Sequence, residues 1–535
     1  MDSFDWDGLL LSLGSAMHEA ADGLAALAEP YLADGTLAAA APLAPLVLFL
    51  FVTLIAAIVA RVRSRRGAGN FANRYFIGSR ALGGFVLAMT TIATYGSVSS
   101  FVGGPGQAWS IGFGWVYMAV VQVTALVLLY GIFGKKMGLI SRKLNAVTVA
   151  DVIRARYGSN ALANLSALVI VLFFVATMVA QFVGGAKLFE AVTGYSYTTG
   201  LLLFGAAAVL FTVIGGFRGV AVTDALCGIM MLVGIAVLAG GILEAGGGYE
   251  AIMQSIAAHE PQMLEPFAGG AMPPSLYLTQ WLLVGVFTFV LPQSVVRTMG
   301  YRDTRALHSA MIWGTVIIGA MMIGVTALGV LTAGVLTEDI AVYGGTVDDI
   351  IPSAIVGTLP PVVAGIAIVG PVAASISTVS SLLISSASAI VKDVCLSACE
   401  RRGIAPKDGK VAFWSQLITL GLGVLVLALA VVPPDVIWKI NMFAFGGLET
   451  AFFFVLVCGL FWKRANALGA LLSLAGGTAA YCATMALGFK VADLHQIVIG
   501  IAVAGALMLL GSLIGKQRPS ARLDVFFPQD EPPAA

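Results

Sequence analysis

The chain has 535 residues, of which 59% are hydrophobic and only 11% charged, with a formal net charge of +1 and a mean hydropathy of +0.96. Soluble domains carry about 25% charged residues, so a soluble globular protein is excluded, and a basic patch for nucleic acid is excluded with it because the Lys and Arg residues are scattered among short connections. The composition is that of an integral membrane protein, all-α because the alternation of a membrane β-barrel is absent.

The first 40 residues contain Asp and Glu but no Lys or Arg, so they lack the basic start of a signal peptide and are expected to form an extracytoplasmic segment, with an amphipathic surface helix over 9–27. From residue 41 to 515, apolar runs of about 20 residues recur, each long enough to cross a hydrocarbon core of about 30 Å as a helix. They predict about thirteen transmembrane helices, near 43–61, 82–109, 114–134, 160–183, 196–216, 220–243, 276–297, 308–336, 361–391, 411–432, 437–461, 467–487 and 493–514. Residues 516–535 are left as a short tail.

Basic residues gather after the odd-numbered spans. Arg61, Arg63, Arg65 and Arg66 follow the first, Lys135, Lys136, Arg142, Lys143, Arg154 and Arg156 the third, and Arg297, Arg302 and Arg305 the seventh. Lys392, Arg401, Arg402, Lys407 and Lys410 follow the ninth, Lys463 and Arg464 the eleventh, and Lys516, Arg518 and Arg522 the last. Lys and Arg accumulate on the cytoplasmic side of short loops, which predicts an outside N-terminus, a cytoplasmic C-terminus and an odd number of spans, with only Lys187, Lys439 and Lys490 on the outer side.

Catalysis finds no support. The four histidines, His18, His259, His308 and His495, lie at loops or span ends without metal-ligand spacing, and there is no phosphate-binding P-loop, so this chain is not expected to be an enzyme or an ATP-driven pump. Cys227, Cys458 and Cys482 fall in spans, and Cys395 and Cys399 at a cytoplasmic helix end where thiols stay reduced, so all five read as small packing residues.

The second span is the informative one. Residues 90–109 read TTIATYGSVSSFVGGPGQAW, apolar at the ends and small, hydroxylated and glycine-rich in the middle. A break after Tyr95 would leave the carbonyls of Ala93 and Gly96 without helical donors and free to face a cation. The outer half would then start near Ser97, Ser99 and Ser100, good N-cap residues whose amides and helix dipole favour an anion. The plainer reading is that Gly103, Gly104 and Gly106 only permit close helix packing. In the ninth span, PVAASISTVSSLLISSAS places Ala374, Ser377 and Thr378 at i, i+3 and i+4 on one face. Two hydroxyls and a carbonyl there would complete a five-oxygen shell with Ala93 and Gly96, suited to a desolvated alkali cation; alternatively the serines bond back to their own helix.

Ionisable groups inside spans are costly and count as functional candidates. Asp224 opens the sixth span, either shaping the field along a cation path or acting as a helix-start carboxylate. Glu449, in AFGGLETAFF, reads either as a proton-binding or solute group or as a buried carboxyl hydrogen-bonded to neighbouring helices. Gln122, Gln181 and Gln293 lie within or close to spans and read as helix-joining amides before pocket lining.

Several segments, YFIGSRALGGFVLAMTTIATY, SSFVGGPG, GWVYMAVVQ, NAVTVADVIRARY, QFVGGAKL, VIGGFRGVAVTDA, AFGGLETAFF and FWKRANALGALL, carry a resemblance from about Tyr75 to Gly515. The chain resembles the sodium:solute symporter family, and within it the pantothenate carriers most. The resemblance implies a LeuT-like core of two inverted five-helix repeats, at about 82–243 and 276–461, in a bacterial plasma membrane, with ligands at discontinuous helices near the bilayer midplane. It implies a co-transported sodium ion held by the carbonyls of Ala93, Gly96 and Ala374 and by Ser377 and Thr378. It implies a solute pocket including Ser99, Ser100 and Gln122, with the seventh span near Pro292 and Gln293 as a second broken helix. The implied activity is sodium-driven uptake of a small anionic solute, pantothenate first, with another monocarboxylate or an amino acid as the alternative and a transporter-like sensor as the more distant one.

Overall fold

The computed structural model describes residues 42–64, 80, 82–270, 272–404, 408–516 and 523–528. The N-terminal segment with its expected 9–27 helix, and Arg65, Arg66, Lys407, Arg518 and Arg522, lie outside the described residues.

Among the described residues, eleven helices are long and apolar enough to cross a membrane, and a twelfth candidate is a pair bent by 65°. In chain order the elements are α1 (Leu43–Ser64), the bent pair α2 (Gly84–Tyr95) and α3 (Ser99–Ile111), α4 (Phe113–Leu144), the short α5 (Val149–Tyr157) and α6 (Asn160–Thr193). There follow α7 (Tyr197–Gly216), α8 (Thr223–Ala245), α9 (Pro274–Met299), α10 (Thr304–Ala333), α11 (Pro361–Cys399) and α12 (Gly409–Ala430). The last are α13 (Ile437–Phe461), α14 (Ala467–Ala486), α15 (Ile497–Ile514) and the single turn α16 (Leu523–Phe526). Every expected span falls on one of these, the first on the shorter apolar stretch Leu43–Val59 of α1.

Local chemistry sets the boundaries. The Ser159 hydroxyl accepts the Leu162 amide to start α6, and Gly194, at φ 69°, ends it. The helix thus runs about ten residues past the apolar run. Gly216, at φ 60° and ψ −176°, separates α7 from α8, a conformation that a side chain would strain.

Helix packing relies on small residues, since lipid offers no hydrophobic force to press helices together. A Cβ on Gly234 of α8 would lie 2.8 Å from the Gly370 Cα of α11, so these two backbones nearly touch. Among the described residues α11 is the most buried of the spanning helices. Gly469 and Gly511 bring α14 and α15 together in the same way.

The two ends of the bundle differ. At the end carrying Lys135, Arg142 and Arg154, Leu82 pairs with Tyr301 as a lone parallel bridge, tying the start of α2 to the end of α9. There the buried Phe526 and its neighbour Phe527 meet two cations: Lys136 Nζ lies 4.8 Å from the Phe527 ring centroid, and the Arg156 guanidinium 5.3 Å from it. Arg156 also donates to the carbonyls of Gly459 in the last turn of α13 and of Trp462 and Lys463 beyond it, so it is a buried clasp and not the loop charge the sequence suggested. At the other end the connection between α10 and α11 folds over α3. Lys187 Nζ reaches Asp349 at 2.8 Å and Thr346 at 2.7 Å, while Asp348 accepts the Ile437 amide at 2.8 Å and caps α13.

Candidate functional site

The polypeptide leaves helical geometry at Gly96, where φ −69° and ψ 115° carry it into an extended step. Two consequences follow from counting donors. The Ala93 carbonyl loses its i+4 amide, and the Gly96 carbonyl loses Ser100 N, which turns instead to Ser97 O at 2.9 Å. Both carbonyls receive hydroxyls from α11. Ser377 Oγ lies 2.8 Å from Ala93 O and 3.0 Å from Ala374 O, and Thr378 Oγ1 lies 3.2 Å from Gly96 O. All five residues of the expected shell thus converge on one spot, buried between two helices that are nearly three hundred residues apart in sequence. The donor set is neutral and entirely oxygen, matching a hard monovalent cation better than a soft or divalent metal.

One turn toward the basic end sits an ion pair. Asp224 Oδ2 is 3.2 Å from Arg297 Nη2 and accepts the Thr90 hydroxyl at 2.9 Å. Arg297 also reaches Thr90 O at 3.1 Å, Gln293 O at 3.0 Å and Ser381 Oγ at 2.9 Å. Arg297 is therefore a correction: grouped in sequence with the loop charges Arg302 and Arg305, it is 3% exposed in the core. Pro292 restarts a helix after the break at Leu291, and that helix carries Arg297 back inward on the same face as Gln293. Ser381 and Thr90 were legible as continuations of the hydroxyl face, four residues beyond Ser377 and three before Ala93.

The expected solute residues divide. Ser100 and Gln122 line one small cleft with Trp115, Met118, Thr326 and Trp438, closed on one side by the Trp115–Trp438 edge contact at 5.0 Å. Ser99 and Gln293 do not line it; Ser99 Oγ and Gln293 Oε1 are buried without a hydrogen-bond partner among the described residues. The half-helix N-terminus also departs from expectation. Val98 N–H donates to Gln181 Oε1 at 2.9 Å, so one of the amides that would have met an anion is already taken. Gln181 acts as a joint, its carbonyl also accepting Ser375 Oγ at 2.8 Å.

A second, small cavity opens toward the basic end between Pro292, Val296, Ser385, Ser388 and Asp393. Two discontinuous helices thus flank the polar centre, with the cleft on one side and this cavity on the other.

The family model for the sodium:solute symporter family matches residues 75–477. The chain belongs to the sodium:solute symporter family. It is 40% identical over 476 residues to the sodium/pantothenate symporter of Haemophilus influenzae, covering 89% of this chain and 96% of that one. It is 39% identical over 478 residues to the sodium/pantothenate symporter of Escherichia coli, covering 89% and 97%. The osmoregulated proline transporter OpuE of Bacillus subtilis is 27% identical over 462 residues. Among solved structures, a substrate-bound, outward-open Na+-coupled sialic acid symporter matches with a TM-score of 0.74 over 88% of this chain and 96% of that one at 19% identity. The nucleobase-cation-symport-1 transporter Mhp1 matches at 0.54 over 84% and 98% at 14% identity. These likenesses establish the LeuT-like fold. As a symporter of this family the protein is a multi-pass membrane carrier, not an enzyme, and sodium is its co-substrate and not a resident cofactor.

Proposed function

We propose that this symporter carries pantothenate into the cell with sodium, and that the sodium rests on Ala93, Gly96, Ala374, Ser377 and Thr378. The observation that supports the ion site is the convergence of those five oxygens from α2 and α11. The observation that supports the solute is the 39–40% identity to two pantothenate carriers across nearly their whole length. The positive-inside rule supports a cytoplasmic basic end, with the N-terminus outside and the C-terminus inside, and the bacterial relatives support a bacterial plasma membrane. The core repeats are about 82–243 and 276–461, each opening with a discontinuous helix, α2–α3 in one and α9 in the other.

The geometry supports a coupling mechanism. A sodium ion in this ring binds α2 and α11 together, so it favours conformations in which they are close. Gly96, at its edge, is four residues from Ser100 in the solute cleft, so ordering the break for the ion also orders the solute side. Coupling of this kind is reciprocal: whatever sodium adds to solute affinity, solute adds to sodium affinity. The half-helix dipole, Ser100 and Gln122 would hold the solute carboxylate through neutral donors. Purified protein in liposomes, offered labelled pantothenate, proline, pyruvate and acetate with and without a sodium gradient, tests the reading. Sodium-dependent accumulation of pantothenate alone is expected, and accumulation of another solute without competition by pantothenate would overturn the assignment.

A further inference from the structure

The cavity at the basic end holds polar groups that neither the ion ring nor the solute cleft uses. α11 carries hydroxyls at Ser377, Ser381, Ser385 and Ser388, spaced i, i+4, i+8 and i+11, so one stripe runs from the ring to the cavity, about 16 Å at 1.5 Å per residue. The Asp224–Arg297 pair touches this stripe at Ser381. Beyond Ser388 the helix widens, and over Ala389–Leu396 its hydrogen bonds run i to i+5. Asp393, five residues past Ser388, is thereby returned toward the hydroxyl face, and both line the cavity with Ser385 and Thr148. Asp393 is buried, and one donor reaches its carboxylate among the described residues, the Thr148 hydroxyl at 2.6 Å from Oδ1. Ser388 Oγ is buried with no hydrogen-bond partner among them. Glu449, fully buried in α13, also lacks partners among the described residues, against the expectation of a hydrogen-bonded carboxyl, but it lines neither the cleft nor this cavity.

We propose that Asp393, with Ser388, Ser385 and Thr148, forms a second cation site, at which sodium on its way to the cytoplasm is held before release. A carboxylate and hydroxyls are hard oxygen donors that suit an alkali cation, and the cavity is large enough for a dehydrated ion. The carboxylate repels an anionic solute, so the cavity separates the two cargoes. The site is also built to be left. Arg154 stands against it, its guanidinium held by Asp151 Oδ1 at 3.2 Å and by the Asp393 backbone carbonyl at 3.0 Å, and this positive charge lowers the affinity for a cation. Such a station fills when internal sodium is high, and a filled station holds back the ion behind it. The inference rests on the cytoplasmic placement of the basic end, and neither the solute nor the ligands of the ring enter it.

The test compares sodium on the two sides of proteoliposomes containing the full chain, with orientation assigned by an impermeant maleimide at Cys395, which is exposed at the basic end. Initial pantothenate uptake is measured at saturating external sodium against a series of internal sodium concentrations, with choline as the replacing cation. In the wild type internal sodium inhibits. In Asp393→Asn the internal sodium for half-inhibition rises about tenfold or more, the worth of a charged ligand, while the external sodium for half-maximal uptake is kept. Asparagine keeps an oxygen to accept the Thr148 hydroxyl, so a residue that only tied α11 to α5 would leave internal inhibition unaltered. Ser388→Ala shifts internal inhibition in the same direction by less, and takes the place of the asparagine variant if that one does not transport. Unaltered internal inhibition in a transporting variant overturns the site, as does an equal shift on both sides or a wild type that internal sodium does not inhibit. A second readout needs no solute: sodium slows the maleimide reaction at Cys395, read by peptide mass spectrometry, in the wild type and in Thr378→Val but not in Asp393→Asn. Protection lost in Thr378→Val and kept in Asp393→Asn assigns the effect to the ring and overturns the site. Absence of pantothenate uptake by the wild type overturns the solute assignment alone, because the labelling readout stands without it.

Discussion

Replacing Thr378 by Val keeps the β-branched shape of the side chain and removes only its oxygen, and Ser377→Ala removes an oxygen that touches both Ala93 O at 2.8 Å and Ala374 O at 3.0 Å. Each change takes one ligand of the five from the proposed sodium shell. A hydrogen bond to a charged group, the nearest measured equivalent, is worth about 1.5–3 kcal/mol, and 1.4 kcal/mol is about tenfold in an equilibrium constant. The sodium concentration for half-maximal uptake should therefore rise about ten- to hundredfold in either variant. Thr378→Ser, which keeps the oxygen, should stay near the wild type. The assay is initial-rate pantothenate uptake into liposomes over a sodium series, with choline as the replacing cation, saturating solute and the membrane potential clamped. The maximal rate at high sodium should change little, because the lost oxygen does not touch the solute. Unaltered sodium dependence in both variants, or a Thr378→Ser protein that behaves like Thr378→Val, would refute the ring.

Asp224→Asn leaves the buried Arg297 guanidinium with only neutral acceptors and should cost about 3–5 kcal/mol, the usual penalty for breaking a buried pair, read as a lower unfolding temperature in detergent; an unchanged midpoint would show the pair to be dispensable. Gly106→Ala places a Cβ 2.0 Å from Val347 O, so the Val347–Asp349 turn must lift from α3, and faster hydrogen exchange over 347–358 should accompany slower uptake. The docking of that turn should also depend on pH. Burial pushes the Asp348 carboxyl up to about 6 against the opposing hydrogen bond from the Ile437 amide, with Lys187, Asp349 and Asp435 as its charged neighbours. The docked loop then holds a proton that the free loop releases, so this contribution, at most about 3 kcal/mol, is full below the ordinary carboxylate range near 4 and is lost as pH rises through 6. After correction for intrinsic rates, exchange over 347–358 should be slower at pH 5.5 than at 7.5, and Asp348→Asn should remove the difference.

The proposed ion ring was legible because its signals are local. A glycine between an apolar half-helix and a run of serines marks the break, and i, i+3, i+4 spacing puts Ala374, Ser377 and Thr378 on one face whatever surrounds them. Arg297 was not legible, since a basic residue after an apolar run reads as a loop charge until Pro292 is known to start a new inward-facing helix. Its partner Asp224 lies 73 positions away, beyond any sequence periodicity. The same holds for the outer half-helix: Ser97, Ser99 and Ser100 describe an anion-binding N-terminus, yet Gln181, 83 positions on, takes the Val98 amide. Sequence spacing likewise did not tell Ser100 and Gln122, which share a cleft, from Ser99 and Gln293, which do not line it.

The ring of carbonyls and hydroxyls has no formal charge of its own, and this bears on the electrical behaviour of the carrier. The Asp224–Arg297 pair beside it sums to zero, so the ring and this pair contribute no net charge to the movement that exchanges one face for the other. At this site the charge that crosses is the cargo's. One sodium with one pantothenate anion moves none, and uptake would then be indifferent to voltage. Each further sodium adds one elementary charge, worth about 2.3 kcal/mol for every 100 mV of membrane potential, so the slope of uptake against voltage counts the ions per cycle.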